Sequence, residues 1–192
     1  MALASVADLK SFLSISHSGD DDLLTRLVAA ASSYFEQQTG RTILATDYVV
    51  ELDGDGRANI VPPEYPVISV TSLEINGITV PASTGYGVEG WFLRGNLITL
   101  RGVAVSSFGP IVAPMGYPST QGVANVKLSY RAGFETVPED IRQSVVEMAA
   151  LMYREKERVG QQSHNNSSGS TVFYYAPPAR VVATIEAYRR SL

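Results

Sequence analysis

The residue types that could support catalysis are few, and their spacing argues against it. The histidines are His17, in SISHSG, and His164, in QSHNNSSG. General acid–base work or zinc binding needs imidazole held on a rigid element beside a positioned partner. These two sit in Ser-rich turns far apart in sequence, and both are expected to be solvated surface side chains. The chain has no cysteine, which excludes disulfides, thiolate zinc sites and cysteine nucleophiles together.

The carboxylates come in two clusters. Asp53-Gly54-Asp55-Gly56 resembles the start of a calcium loop, but an EF-hand wants an oxygen ligand at its fifth position and Gly at its sixth. Those positions are Arg57 and Ala58, and no helix pair flanks them, so a hairpin turn is the expectation. Asp20, Asp21 and Asp22 are consecutive. On a helix they point about 100° apart and cannot easily converge on an ion. They suit the start of a helix, where carboxylates meet the positive end of the dipole and cap free amides. No GxxxxGK[ST], GxGxxG or GxSxG occurs, and Gly85-Tyr86-Gly87-Val88-Glu89-Gly90 follows no strand-to-helix switch, so it reads as a loop. No catalytic, cofactor-binding or metal-binding residue is therefore expected, and no cofactor. The competing reading is an enzyme whose site is assembled from scattered Asp, Glu, Arg and Tyr. A pocket of strongly perturbed titrating groups would mark it.

Other residues suit recognition better than chemistry. Phe173, Tyr174 and Tyr175 follow a Gly/Ser/Asn-rich stretch and precede Pro177-Pro178. Exposed aromatics on a tethered segment are a protein-binding device, and the alternative is that they cover the subunit's own helices. Arg189 and Arg190 are either helix C-terminal charge or a contact to an acidic partner. The mixed run Arg154 to Arg158, REKER, is either a solvated helix end with i,i+3 pairs such as Glu155–Arg158 or a charged seam between subunits.

These residues must be held by a modest framework. A chain of 192 residues is enough for one domain with a substantial insertion, and 45% hydrophobic content can fill a core. The net charge of -4 argues against a nucleic-acid clamp, which carries a basic excess. MALASVADLKSFLSI is amphipathic rather than a signal peptide, and no stretch approaches the roughly 18 apolar residues of a membrane span.

Helical spacing predicts a short helix from Ser5 to Leu13, capped by Ser5 with Asp8, and a second opening at Asp20 to Asp22 and ending at Gly40. The apolar stripe of the second is read as Leu23, Leu27, Ala30, Ala31, Tyr34 and Phe35. From Thr42 the period becomes alternating. Tyr48–Leu52 and Ala58–Val61 are read as a hairpin, as are Val67–Ile75 with Ile78–Val80 around Asn76-Gly77, and Trp91–Leu93 with Leu97–Leu100. Residues 102–122 are expected to be a long irregular loop, and Ala124–Arg131 a last strand. Helical period resumes at Pro138, with Ile141, Val145, Met148 and Met152 on one face and Val146, Ala149 and Tyr153 as surplus apolar surface beside it. Gly160–Ser170 reads as a polar linker, Thr171–Tyr175 as β-prone, and a final helix after Pro178 buries Val181, Val182, Ile185 and Tyr188. The expected fold class is α+β: a small bundle of about four helices, residues 1–44 and 132–192, with an antiparallel β-rich insertion, 45–131, between helices two and three. The simplest packing has the insertion projecting from one end of the bundle.

Three stretches in this order resemble the head–tail connector (adaptor, head-completion) proteins of tailed bacteriophages, in their long form. They are DDDLLTRLVAAASSYFEQQTGR from Asp20 to Arg41, LDGDGRANIVPPEYPVISVTSLEINGITV from Leu52 to Val80, and VKLSYRAGFETVPEDIRQSVVEMAALMYREKE from Val126 to Glu157. The last helix, ending AYRR at Ala187 to Arg190, is similar too. Gene transfer agents use similar subunits. The resemblance implies a non-enzymatic virion protein, made in the host cytoplasm and placed in the neck. It implies a ring, of twelve copies, docked on the portal protein and extending the DNA channel, with a surface for the next connector or tail protein. DNA would be passing cargo, and no membrane is involved. The loop at 102–122 departs from the shorter members. A tail-completion or tail-terminator subunit is the neighbouring reading, set back by the helix-rich pattern.

Overall fold

A computed structural model describes residues 2–85, 88–102, 104–106, 109–111, 121–156, 163–166, 169–172 and 176–190. The chain separates into two compact units, Met1–Leu44 with Thr136–Leu192, and Ala45–Glu135.

The first unit is built on α1 (Val6–Leu13), α2 (Asp21–Thr39), α3 (Glu139–Arg154) and α4 (Ala179–Tyr188). The capping box forms as expected. Ser5 Oγ accepts from the Asp8 amide at 3.1 Å, and the Ser5 amide donates back to Asp8 Oδ2 at 3.1 Å. Gly40 closes α2 at φ 68°, in the left-handed region where a Cβ is penalised. Asp20 occupies the cap position of α2 but makes no side-chain cap bond. Its Oδ2 instead accepts from the Tyr153 hydroxyl at 2.7 Å, while Asp21 pairs with Lys10 at 2.7 Å. The aspartates thus join elements as well as opening the helix.

The buried stripe of α2 is rotated from the expected one. Leu24, Val28, Ala31, Ser32, Phe35 and Thr39 are buried, whereas Ala30 is exposed and Leu23, Leu27 and Tyr34 are half-buried. Two hydroxyl residues complete the stripe because each satisfies itself against its own helix. Ser32 donates to the Val28 carbonyl and Thr39 to the Phe35 carbonyl. In α3 the expected Ile141, Val145 and Met148 are buried, but so are Val146 and Ala149. Those last two are covered by the subunit's own helices and are not surplus surface. In α4, Val181 and Ile185 are buried while Val182 stays 39% exposed. Hydrogen bonds from α4 step back along α3: Ser144 to Thr184 at 3.0 Å and Tyr188 to Asp140 at 3.1 Å set the two helices antiparallel. Within 160–170, where a plain linker was expected, Ser163–Asn166 pairs with Gly169–Val172 as β10 and β11.

The second unit contains β1 (Thr46–Gly54), β2 (Asn59–Ile60), β3 (Val67–Ile75), β4 (Ile78–Val80), β5 (Gly90–Arg94), β6 (Leu97–Arg101), β7 (Ala104–Ser106), β8 (Gly109–Ile111) and β9 (Gly122–Ala132). A four-stranded antiparallel sheet runs β1-β9-β3-β4 and a three-stranded one β2-β6-β5. Alternation decides the faces. Tyr48, Val50 and Leu52 of β1 point with Val126, Leu128 and Tyr130 of β9 into a core shared with Leu73, Ile98 and Leu100. The Asn76-Gly77 and Gly95-Asn96 hairpins form as read. The first hairpin does not: β1 pairs with β9, from Thr46 opposite Ala132 to Leu52 opposite Val126, and β2 pairs with β6. An 11-residue strand offering a full apolar face outcompetes a two-residue return strand. The DGDG segment is tied to the start of β9 instead, with Asp53 accepting from the Ala124 amide at 2.7 Å and Asn125 accepting from the Gly54 amide at 2.8 Å. Residues 102–122 are not wholly irregular, since β7 and β8 pair within them.

Candidate partner-binding surface

The reactive groups are dispersed. His17 is exposed, and His164 lies in β10. Among the described residues no group of three or more His, Cys, Asp and Glu is placed to hold a metal ion. Gly90, in the loop-like Gly cluster, belongs to β5, while Tyr86 and Gly87 lie outside the described residues. No described helix is long and apolar enough to cross a membrane.

Shifted titrations have structural causes. The Tyr153 hydroxyl holds the Asp20 carboxyl below its ordinary value. Ser5 does the same for Asp8, first through its hydroxyl and then through its amide. Burial, then the hydrogen bond to Asp140, pushes the Tyr188 phenol up. These three groups serve a cap or a helix–helix tie.

The residues expected to meet partners fare unequally. Phe173, Tyr174 and Tyr175 lie outside the described residues, as does Arg158 of the REKER run. Lys156 of that run sits over the Tyr153 ring, 4.2 Å from its centroid. Arg189 has extended backbone and is exposed. The Arg190 amide donates to the Thr39 carbonyl at 3.0 Å, which ties the end of the last helix to the end of α2. Those two arginines are thereby brought to a defined place on the helical unit.

A groove that sequence reading missed lies on this unit. About 650 Å³ of space is bounded by Asp8, Ser11 and Phe12 of α1, by Glu139, Asp140, Arg142, Gln143 and Val146 of α3, and by Arg180 of α4. Val146 forms an apolar floor, 2% exposed, and Phe12 a wall that is 43% exposed. Arg142 makes a bidentate contact to Glu139, which favours its charged form, and Arg180 lies 3.4 Å from Glu147. The arrangement has both signs of charge beside the exposed Phe12 ring. It suits recognition.

The family model for head completion proteins matches residues 2–191. Among solved structures, the fold is similar to a chain in the neck of an empty gene transfer agent particle computed with C6 symmetry. That chain is 21% identical with a TM-score of 0.60, over 99% of this chain and 91% of that one. A chain in the neck of the native particle computed with C12 symmetry is 20% identical with a TM-score of 0.59, over 100% and 90%. One from the virion of the native particle is 20% identical with a TM-score of 0.53, over 99% and 91%. No curated protein matches the chain in sequence.

Proposed function

Because the chain belongs to the head completion protein family, we propose that it is a structural head–tail connector subunit that closes into a ring of twelve copies beneath a portal. The observation that carries this reading is the extent of the family match, residues 2–191 of a 192-residue chain. The fold shared with neck chains is in keeping with it, since a twelvefold ring satisfies both C6 and C12 symmetry. The ring extends the channel through which DNA passes and offers its other face to the next connector or tail protein. A net charge of -4 suits a channel that lets DNA slide without gripping it. The subunit does this without catalysis, by presenting surfaces.

Phe173, Tyr174 and Tyr175 are proposed as anchors on the portal or a neighbouring subunit, and Arg189 and Arg190 as further, charged contacts. Aromatic side chains cover large area with few rotatable bonds. The test of the ring is electron microscopy and light scattering of the purified protein mixed with its portal. A closed ring is the expected result, and one or two bound copies per portal overturns it. Replacing the three aromatics by Ala should weaken that assembly by about 2 kcal/mol or more if one of them is a hot spot. Unchanged assembly with a destabilised monomer would assign them to the subunit's own core.

A further inference from the structure

The groove between α1 and α4 has a counterpart on the same subunit. Helix α2 packs on α1, α3 and α4 together, through the stripe that contains Leu24, Val28, Ala31 and Phe35. Its opposite stripe, Asp22, Arg26, Ala29, Ser33 and Gln37, is exposed along its length. In α3, Glu139, Arg142 and Gln143 recur at helical spacing and line the groove above the buried Val146, while Ile141, Val145 and Met148 are buried on the other side of the helix. The α2 stripe therefore points away from the three helices that line the groove.

We propose that the α2 stripe of one copy seats in the α1–α3–α4 groove of the next. The inference rests on the ring reading above and names the two faces that make it. A contact between two different patches of one subunit is heterologous, and it closes into a ring where the rotation between copies returns to the start. The occupant is a second copy because the two surfaces complement each other. Ala29 and Ser33 are small, so the helix backbone can approach the exposed Phe12 ring. Arg26 and Asp22, one turn apart, carry both signs. The groove presents the carboxylates of Asp8, Glu139 and Asp140 and the guanidinium groups of Arg142 and Arg180 to meet them. Like charges directly opposed would reject the wrong register.

The absence of cysteine makes the test direct. A Ser11→Cys/Ser33→Cys variant places one thiol at the groove and one on the α2 stripe, both at exposed positions. A short thiol crosslinker applied to the protein assembled with its portal should yield a ladder of covalent oligomers up to the full ring. Ser33→Trp should keep the melting temperature of the free subunit and lower the assembled fraction at least tenfold. A ring seen by light scattering without the ladder overturns this interface and leaves the ring standing. Covalent dimers from Ser33→Cys alone would mean that α2 meets α2, and would overturn it as well. No ring from the unsubstituted protein and its portal overturns both readings.

Discussion

Replacing Ser32 by Ala tests whether the start of the chain is held by a single buried hydroxyl. Ser32 is 1% exposed and Leu3 is 2% exposed. The Leu3 amide donates to Ser32 Oγ at 2.9 Å, and the same hydroxyl donates to the Val28 carbonyl at 2.7 Å. Alanine removes one oxygen and leaves the helix in place. The Val28 carbonyl keeps its helical partner four residues on. The Leu3 amide keeps nothing, and an orphaned buried donor costs about 1–3 kcal/mol. Alanine's better helix propensity returns about 0.5 kcal/mol. A net loss of about 1–2 kcal/mol should appear in a urea titration followed by circular dichroism, with an unchanged slope. Hydrogen exchange at the Leu3 amide should speed up. The neighbouring Ser33→Ala, on the exposed side of α2, is the control and should stay within about 0.5 kcal/mol of the parent. If Ser32→Ala is as stable as the parent, or the Leu3 amide keeps its protection, the hydroxyl does not hold the amino-terminal strap.

Gly90→Ala should destabilise the β-rich unit, because Gly90 has φ 134° and a Cβ there would collide with the Pro81 carbonyl oxygen. Gly95→Ala, at φ 60° in open space, should cost much less, and thermal melts of the two variants compare them directly. The Asp20 carboxyl is depressed by Tyr153, so its contribution to stability is present above the ordinary carboxylate range near pH 4 and is lost as pH falls through the lowered value. Tyr153→Phe should raise the Asp20 midpoint in an NMR titration, and an unmoved midpoint would remove the tie between the end of α3 and the start of α2. The Tyr188 phenol is raised, so its contribution is present below about pH 10 and disappears as pH climbs through the raised value. Asp140→Asn should bring the Tyr188 midpoint back down in a spectrophotometric titration.

The elements legible in the sequence were those specified within a few residues. Ser5 with Asp8 announced a capping box, Gly40 a helix end, and Asn76-Gly77 and Gly95-Asn96 two hairpins, because caps and tight turns depend on side chains adjacent in the chain. The period change after Thr42 separated helix from strand for the same reason. The α+β class with strands between α2 and α3 followed from those local signals, while the family resemblance, carried by the order of Asp20–Arg41, Leu52–Val80 and Val126–Glu157, is established by the match over residues 2–191.

What could not be read locally was every choice between partners distant in sequence. The DGDG turn looked like a return onto β2, yet β1 gained more by pairing along β9, some 70 residues away. The buried face of α2 was misread by a fraction of a turn because Ser32 and Thr39 look polar. Only packing against three other helices shows that their hydroxyls are satisfied internally and can be buried. Val146 and Ala149 looked like spare apolar surface until the flanking helices covered them. The groove itself has no sequence signature, because α1, α3 and α4 each contribute a few ordinary residues to it. Local geometry and periodicity are properties of neighbouring residues and survive in the sequence, whereas register, rotation and concavity arise from competition among distant surfaces, which is decided only when the whole chain packs.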